Sequence, residues 1–283
     1  MRVGVLITGA SRGFGRCVAV DFAQQISAGD DLDIHLWARS EADLKETERM
    51  VQDAWERTHP SHTLRTFTLT VDLGNKDDYT PKIDALLAQI KAESYARVFV
   101  VHNAGSLGHL GLTQEWSSHE MLDQYWHFNV HSVLWFNKRF LEEFGASREE
   151  LQKPAEAAQP PTLSVIVNVT SLFGIQPAAT FGLYCLSKGA REMHHKVIAK
   201  EQAPCPHVRV LQYSPGPMDG GMQQTIRESP GVDPAYVDKY GDMKANGELI
   251  PLATSSKVGV KLMLSGEFET GAHVDYYDVA PQQ

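Results

Sequence analysis

Short apolar runs alternate along the chain with segments whose apolar residues recur at helical spacing. Ile83, Leu86, Leu87 and Ile90, for example, fall on one helical face. The runs occupy positions 3–7, 34–38, 64–69, 98–102, 163–169, 208–213 and 273–277. Strands that alternate with amphipathic helices are typical of βαβ units. The pattern predicts an α/β fold class, with one doubly wound (Rossmann) parallel sheet in a single domain of residues 1–283.

Three other segments interrupt this alternation. Residues 122–144 are apolar nearly all round, which predicts one long helix buried on several sides, one of them supplied by a homodimer interface. Residues 145–161 are polar and rich in Pro and Ala, which indicates a surface excursion. Residues 215–251 are rich in Gly, Pro, Asp and Met and are longer than an ordinary loop, which predicts a mobile lid over a site.

Composition and charge narrow the classes of function. The net charge is -9, from 26 Lys and Arg against 35 Asp and Glu. This is the wrong sign for neutralising phosphates, so neither nucleic acid nor a membrane surface is an expected partner. Cys17, Cys185 and Cys205 show no C-x-x-C spacing and the His residues form no ligand-spaced set, so no metal site is expected. An odd number of cysteines fits a reducing compartment, and we expect a cytoplasmic location.

A glycine-rich turn follows the first predicted strand. It reads Thr8-Gly9-Ala10-Ser11-Arg12-Gly13-Phe14-Gly15, and an amphipathic helix follows it. In a strand-turn-helix context, glycines let the backbone approach a pyrophosphate closely, and the helix N-terminus binds that anion. The turn therefore predicts a dinucleotide site.

The same turn also spells G-x-S-x-G, from Gly9 to Gly13, the nucleophile elbow of α/β-hydrolases. An elbow serine depends on an oxyanion-hole N–H from an earlier strand–helix loop. Only eight residues precede Gly9 in this sequence, which leaves no room for that loop. The dinucleotide interpretation is therefore favoured over the hydrolase.

The second predicted strand indicates which cofactor is bound. NAD enzymes usually carry Asp or Glu at the end of this strand, whereas Arg accommodates the 2′-phosphate of NADP. Here the strand ends in Trp37-Ala38-Arg39-Ser40, and Asp33 lies towards its opposite end. Arg39, together with Arg12 of the glycine turn, can offer a guanidinium fork to a phosphate. We therefore expect NADPH/NADP+ as the cofactor.

A candidate proton donor lies at Tyr184. Tyr184 and Lys188 stand at i and i+4 on one helical face, and an ammonium group near a phenol lowers the phenol pKa. The strand before them, residues 163–169, delivers Ser171 to its carboxyl end, the edge where α/β sheets bind ligands, so Ser171 can donate to the carbonyl oxygen that Tyr184 protonates. A second pair, Tyr240 and Lys244, has no preceding strand and is interpreted as a chance pair.

Seven motifs stand in the order typical of one known family, across about residues 3–217. They are Thr8-Gly9-x-x-x-Gly13-x-Gly15, Asp72-Leu73, Asn103-Ala104-Gly105, Asn129, Ser171, Tyr184-x-x-x-Lys188 and Pro215-Gly216. In these motifs the chain resembles the short-chain dehydrogenases/reductases. One departure is His102, which stands where many members carry Asn.

The resemblance implies roles for the matching residues. Ser171 would polarise the substrate carbonyl, Tyr184 would be the general acid, and Lys188 would tune Tyr184 and bind the nicotinamide ribose. Asn129 would anchor a proton-relay water. The resemblance further implies Asp72 at the adenine and Asn103 beside the adenosine ribose.

Four segments resemble one subfamily, the sepiapterin reductases. They are residues 8–16, Tyr184-Cys185-x-x-Lys188-x-Ala190-Arg191-x-Met193, Pro215-Gly216-Pro217-Met218-Asp219-x-x-Met222-Gln223-Gln224 and residues 271–278. This resemblance implies an NADPH-dependent carbonyl reductase that acts on the side-chain carbonyl of a pterin, of the sepiapterin or 6-pyruvoyl-tetrahydropterin type, in tetrahydrobiopterin biosynthesis. Asp275 would pair with the amino-pyrimidine edge of the pterin, Gly216 would line the substrate, and residues 218–223 would close over the cofactor.

The expected site residues fall into three groups. The catalytic residues are Ser171, Tyr184, Lys188 and Asn129. The cofactor contacts are Gly9, Ser11, Arg12, Gly13, Phe14, Gly15, Arg39, Ser40, Asp72, Leu73, Asn103, Ala104, Gly105, Tyr184, Lys188, Pro215, Gly216, Met218, Asp219, Met222 and Gln223. The substrate contacts are Ser171, Leu172, Tyr184, Gly216 and Asp275.

Two alternative functions stay open. One is a reductase of diketones or other xenobiotic carbonyls that uses the same catalytic residues. The other belongs to a different class, a non-catalytic NADP-binding sensor. The intact Ser/Tyr/Lys set favours an enzyme over the sensor.

Overall fold

The computed structural model describes residues 1–152 and 162–281, and its centre is a seven-stranded sheet. The strands are β1 (Arg2–Thr8), β2 (Asp31–Ala38), β3 (Leu64–Thr70), β4 (Arg97–His102), β5 (Leu163–Val169), β6 (Val208–Ser214) and β7 (His273–Asp275). Their order is β3-β2-β1-β4-β5-β6-β7, and every pairing is parallel. The predicted doubly wound parallel sheet is confirmed.

Helices follow the strands and cover the sheet. They are α1 (Gly13–Gln25), α2 (Glu41–Thr58), α3 (Lys76–Ala92), α4 (His119–Trp126), α5 (Ser132–Phe144), α6 (Arg148–Gln152), α7 (Gly182–Gln202), α8 (Gly221–Glu228), α9 (Pro234–Ala245), α10 (Leu252–Ser265) and α11 (Tyr276–Val279). In the part of the chain that the structure describes, no helix has the length and apolar character needed to cross a bilayer.

Strand β1 is buried on both faces. Val5 and Ile7 pack with Phe22 of α1 on one side of the sheet, whereas Leu6 packs with Ile83 of α3 on the other. Each such side chain contributes about 1.5–3 kcal/mol when it is fully buried. Because both faces are covered by helices, the strand is apolar from Val3 to Ile7 and does not alternate with polar residues there.

The direction of the crossovers reverses at β1. This strand pairs with β2 on one side and with β4 on the other. The loops that leave the carboxyl ends of β1 and β4 therefore diverge and open a crevice, which is where doubly wound sheets bind their ligands. The glycine turn of residues 9–15 lies at this crevice.

The long helix predicted over residues 122–144 is present but irregular. Between α4 and α5 the chain forms a π-helical turn, His127–His131. The side-chain amide of Asn129 donates to Tyr125 O at 3.0 Å, so it competes for a carbonyl that the regular helix would use. Periodicity predicts the helix correctly, but it does not register this local widening.

Three predicted segments differ from expectation in detail. Residues 215–251 contain α8 and α9, so the predicted lid is largely helical, and its mobility stays a prediction. Of the predicted excursion, 148–152 form α6, and 153–161 lie outside the described residues. The last strand was expected to run to residue 277, but β7 ends at Asp275, whose carboxylate accepts from the Tyr277 N–H and caps α11.

Candidate active site

Glycines shape the turn between β1 and α1. Gly9 has a φ of +69°, and a Cβ on Gly15 would lie only 2.3 Å from Gly9 O. A side chain at residue 15 would therefore overlap the backbone, and without one the turn offers bare backbone to a ligand. The amide of Asn103, just after β4, donates to Thr8 O at 2.9 Å and to Gly9 O at 3.2 Å. The neighbouring strand end thus holds the glycine turn in place.

The amino end of α1 provides a second feature that suits an anion. Gly13 begins the helix without a side-chain cap and without an acidic residue in the first turn. The unpaired N–H groups and the positive end of the helix dipole favour a phosphate group there. Arg12 and Arg39 are exposed on the adjoining rim, and neither forms an ion pair within residues 1–152 and 162–281. The Arg39 guanidinium lies 5.9 Å from the centroid of the Phe128 ring.

A cleft of about 1340 Å³ extends from this turn along the carboxyl edge of the sheet. Most of the predicted site residues line it: Gly9, Ser11, Arg12, Gly13, Phe14, Gly15, Arg39, Ser40, Leu73, Asn103, Ala104, Gly105, Ser171, Leu172, Tyr184, Lys188, Pro215, Gly216, Met218, Met222, Gln223 and Asp275. The fold therefore brings residues from eight separate regions of the chain to one cavity. Their individual roles stay predictions.

Two predicted cofactor contacts are not among the described residues that line the cleft. Asp72 is exposed, and its carboxylate accepts from Gly74 N at 2.9 Å. Asp219 is also exposed and accepts from the Lys244 ammonium at 2.6 Å. The Asp219 contact engages Lys244, so this lysine is directed to a carboxylate, and the interpretation of Tyr240 and Lys244 as a chance pair stays a prediction.

Ser171 and Tyr184 meet at the centre of the cleft. Ser171 directly follows β5, and Tyr184 and Lys188 lie on successive turns of α7. The Ser171 hydroxyl lies near enough to the Tyr184 phenol to lower its pKa. The Lys188 ammonium lies 5.6 Å from the centroid of the Tyr184 ring and donates to Val169 O at 2.7 Å. A carbonyl oxygen placed beside the two hydroxyl groups can accept a hydrogen bond from both.

Burial is the largest influence on the pKa values of Tyr184 and Lys188. It raises the pKa of Tyr184 to about 12, against the opposing effects of the Ser171 hydrogen bond and the Arg191 charge. Burial and the same Arg191 charge hold the pKa of Lys188 well below its ordinary value. The sequence predicts that Lys188 lowers the Tyr184 pKa, but desolvation of the phenol reverses the net direction. Tyr184 is therefore protonated at neutral pH, as a general acid must be.

Asn129 is buried behind the wall of the cleft. Its carbonyl oxygen accepts from Ser106 N at 2.8 Å, and its amide donates to Ser106 Oγ at 3.1 Å. A Cβ on Gly105 would lie 3.6 Å from Asn129 Oδ1 and 3.9 Å from Lys188 Nζ. Only the small residue Gly105 lies between Asn129 Oδ1 and Lys188 Nζ. A relay water between them stays a prediction.

Asp275 reaches the cleft from the end of β7. Its carboxylate accepts from the Ser214 hydroxyl at 2.6 Å and from Tyr277 N at 3.1 Å. These two donors fix the orientation of the side chain, and a carboxylate has about four acceptor positions, so it can still accept from a ligand. The residue is therefore both a helix cap and a cleft-lining acid.

Sequence analysis missed the apolar part of the cleft around Tyr184. Leu107, Phe181, Ile226 and Tyr240 form one buried cluster with this tyrosine, and all of them line the cavity. They come from separate loops and helices and belong to no motif. The only available signal was helical spacing in the lid, where two tyrosines stand four residues apart in α9.

Known proteins resemble this chain over most of its length. A family model described as short chain dehydrogenase matches residues 4–231. The sepiapterin reductase of Meriones unguiculatus is 34% identical over 275 residues, which cover 96% of this chain and 95% of that protein. The benzil reductase ((S)-benzoin forming) of Bacillus subtilis is 24% identical and covers 86% of both chains. Among solved structures, the KRED1-Pglu enzyme has a TM-score of 0.74 at 22% identity, over 97% of this chain and 100% of that chain.

Proposed function

The chain belongs to the short-chain dehydrogenase family of nicotinamide-dependent oxidoreductases, and from that premise we propose that it is an NADPH-dependent reductase of the side-chain carbonyl of a pterin. One observation carries the proposal: Ser171, Tyr184 and Lys188 line the same cleft as the anchored carboxylate of Asp275. The first three suit proton delivery to a carbonyl, and the carboxylate suits a ligand with a planar edge of N–H donors. The sepiapterin reductase relative supports this class of substrate.

The residues around the glycine turn fit a phosphorylated dinucleotide. A Cβ on Gly15 would fill the space at the glycine turn, and the α1 N-terminus carries no side-chain cap. Arg12 and Arg39 on its rim support NADPH over NADH, because a charge-assisted contact is worth about 1.5–3 kcal/mol, or roughly ten- to hundredfold in affinity. The bound cofactor supplies the hydride that reduces the carbonyl carbon.

In the proposed mechanism, Tyr184 donates its phenolic proton to the carbonyl oxygen as negative charge develops there. Ser171 donates a hydrogen bond to the same oxygen and stabilises the charge. The Lys188 ammonium favours the phenolate that remains on Tyr184. Asn129 and Lys188, on either side of Gly105, would hold the water through which the phenolate regains a proton.

The proposed role of Asp275 is to select the substrate. A pterin presents an amino group and a ring N–H on one edge, and a carboxylate can accept from both. Because Ser214 and Tyr277 already orient Asp275, little further ordering is required when the ligand binds. This anchoring would direct the pterin side chain towards Tyr184.

A second candidate function is the reduction of diketones or other xenobiotic carbonyls. The apolar cluster of Leu107, Phe181, Ile226 and Tyr240 beside the proton donor favours it, because such substrates offer aromatic surface and no donor edge. The benzil reductase relative supports it as well. It would use the same catalytic residues without Asp275.

We also propose that the protein forms a homodimer. On α7, Leu186, Met193 and Val197 share one face and are 53%, 62% and 45% exposed. Trp135 of α5 is likewise exposed. A stripe of large apolar side chains on a helix is usually covered by a partner. The proposed interface therefore includes α7 as well as the long helix expected from the sequence.

The decisive experiment compares turnover of sepiapterin and a simple diketone with NADPH and NADH. The proposal expects pterin reduction at micromolar substrate and a tenfold or greater preference for NADPH, which Arg39→Ala narrows. Equal affinity for the two cofactors would contradict the NADPH assignment. Fast diketone reduction with no pterin turnover would replace the first candidate function by the second.

A further inference from the structure

A charged side chain that the proposed mechanism does not use lies next to the catalytic residues. Arg191 stands three residues after Lys188 on α7 and is only 1% exposed. Within the described residues no Asp or Glu carboxylate lies within 4.0 Å of its guanidinium. A buried charge without a counter-ion is costly, so its retention calls for a specific reason.

The guanidinium binds the ends of two central strands. Its Nε donates to Asn168 Oδ1 of β5 at 2.9 Å, and its Nη2 donates to His102 O of β4 at 2.5 Å. Its Nη1 donates to Ala104 O at 3.1 Å, in the turn that follows β4. These three contacts fix residues 103–105, which in turn hold the glycine turn through Asn103.

Arg191 also borders the proposed path of the proton. A Cβ on Gly105 would lie 3.6 Å from Asn129 Oδ1, 3.9 Å from Lys188 Nζ and 4.0 Å from Arg191 Nη1. Two cationic groups and the carbonyl oxygen of the asparagine therefore surround one point. At this separation the charge of Arg191 acts directly on the lysine.

The groups behind Arg191 do not neutralise it. His102 Nε2 contacts Asn137 Oδ1 at 2.7 Å, and the amide of Asn137 contacts His195 Nε2 at 3.1 Å. His195 Nδ1 contacts Arg191 O at 2.7 Å. Burial, with the charge of Arg191, lowers the pKa of His102 to about 3. Burial, with the neighbouring His102, lowers the pKa of His195 well below its ordinary value. Both rings are neutral at neutral pH, so the network contributes hydrogen bonds and no negative charge.

We propose that Arg191 is a positioning residue for proton delivery: it holds the turn of residues 103–105 against α7, and its uncompensated charge sets the upper limit of the pH range in which Tyr184 and Lys188 work. This inference rests on the proposed function, because it assigns a task to a residue beside the same Ser/Tyr/Lys set. Arg191 acts through its neighbours and does not itself donate the proton.

The sign of the effect follows from electrostatics. A nearby cation favours phenolate over phenol and amine over ammonium, so it lowers the pKa of both Tyr184 and Lys188. The distances of 3.9 Å and 4.0 Å from the Gly105 Cβ position place Lys188 Nζ and Arg191 Nη1 no more than 7.9 Å apart. Over such a distance, at an effective dielectric constant of about 20, a unit charge shifts a pKa by about one to two units. Removal of the charge raises both pKa values. The pH at which kcat/KM falls on the alkaline side, here called the alkaline limb, therefore rises by the same amount.

Other titratable groups also face this cluster and act on the pKa values of its members. They are Tyr125 of α4, Tyr240 of α9, His102 at the end of β4, and Cys185, Glu192, His194 and His195 of α7. Glu192 is the acid among them, and its carboxylate is bound to His273 Nδ1 at 2.7 Å. All of these groups are kept unchanged in the variants below.

The test compares two substitutions at residue 191. Arg191→Gln keeps an amide donor and loses the charge, and it should move the alkaline limb of kcat/KM upward by about one to two pH units. Arg191→Lys keeps the charge but cannot bind three acceptors, so its alkaline limb should match the wild type while kcat/KM falls about tenfold or more. The control is Arg209→Met, which removes a guanidinium that binds Gly266 O and Phe268 O at the amino end of β6. This control should lower the Tm without moving the limb.

A second measurement does not depend on turnover. The pKa of Lys188 is followed by NMR in protein labelled with 13C at lysine Cε, with the signal assigned by its loss in Lys188→Met. It should rise by about one to two units in Arg191→Gln and stay near the wild-type value in Arg191→Lys and Arg209→Met. An unchanged Lys188 pKa in a folded Arg191→Gln variant overturns the inference. A raised Lys188 pKa in Arg191→Lys also overturns it, and this second result is the deciding one if Arg191→Gln does not fold. If the wild type reduces no carbonyl, the proposed function fails while this titration still tests Arg191.

Discussion

At the scale of single residues, the site depends on polar groups that are buried together with their partners. Tyr184 remains protonated because desolvation outweighs the hydrogen bond and the charge that favour its ionisation. Asp275 is buried but oriented by a hydroxyl and a backbone N–H. Tyr184 is therefore protonated and Asp275 is oriented before a ligand binds, which reduces the reorganisation that the proposed reaction requires.

Tyr184→Phe should lower kcat by about 10²–10⁴, because the general acid is lost, while the affinity for NADPH changes little. Stopped-flow and steady-state kinetics together with cofactor titration measure both quantities. The matched control is Tyr240→Phe, since that tyrosine also lines the cleft but its neighbour Lys244 binds Asp219. It should keep kcat within a few-fold of the wild type. If Tyr184→Phe retains most of its activity, another acid must donate the proton, and Ser171 is the first to examine.

Asp275→Asn should raise the KM for sepiapterin by about ten- to hundredfold, because the donor edge of a bound pterin loses its carboxylate partner. Reduction of a diketone should be almost unaffected, since that substrate has no such edge. Initial rates with both substrates make the comparison.

Asp278→Ala serves as the structural control for this substitution. Its carboxylate accepts from Asp275 N at 2.9 Å, so its loss weakens the same helix cap by about 1 kcal/mol without removing the acid in the cleft. The KM for sepiapterin should then stay near the wild-type value. Equal effects of the two variants would assign Asp275 a structural role.

At the scale of elements, the turn between β1 and α1 is the part of the cofactor site that tolerates least change. Gly15→Ala would place its Cβ 2.3 Å from Gly9 O. The resulting backbone shift should cost about 1–3 kcal/mol of unfolding free energy and lower the affinity for NADPH by tenfold or more. Thermal denaturation and cofactor titration measure the two effects. An unchanged affinity in the variant would exclude close approach of the cofactor to this turn.

Gly241→Ala is the corresponding control in the lid. A Cβ on Gly241, inside α9, would meet no atom within 4 Å. Alanine should therefore stabilise the protein by about 0.5–1 kcal/mol through the unfolded state and the helix propensity. The contrast between the two substitutions separates a general effect of glycine replacement from the specific overlap at Gly15.

At the scale of the whole molecule, the exposed stripe on α7 is expected to be buried between two copies of the chain. Met193→Glu would place a charge in the middle of this stripe and should shift the protein from dimer to monomer in sedimentation velocity. Val279→Glu, at an exposed apolar position on α11, should leave the oligomeric state unchanged. A wild type that sediments as a monomer at micromolar concentration would contradict the homodimer.

The sequence by itself determined the elements of the sheet and the place of the crevice. Apolar runs report burial on both faces, so strands such as β4 and β5 could be located almost to the residue. The glycine turn could be assigned because its chemistry is local: the residues that must be small, Gly9 and Gly15, are close together in the chain. The same holds for Tyr184 and Lys188, since helical spacing alone places them on one face.

Only the tertiary structure decided which distant groups meet. Arg191 gains its function from acceptors on β4 and β5, and its neighbours there could not be inferred from α7 alone. The motifs predicted that Asp72 and Asp219 contact the cofactor. In the structure the carboxylate of Asp72 accepts from Gly74 N, and that of Asp219 accepts from the Lys244 ammonium. The physical reason is that periodicity encodes which face of an element is buried, whereas partners and desolvation depend on how the crossovers arrange the elements in space.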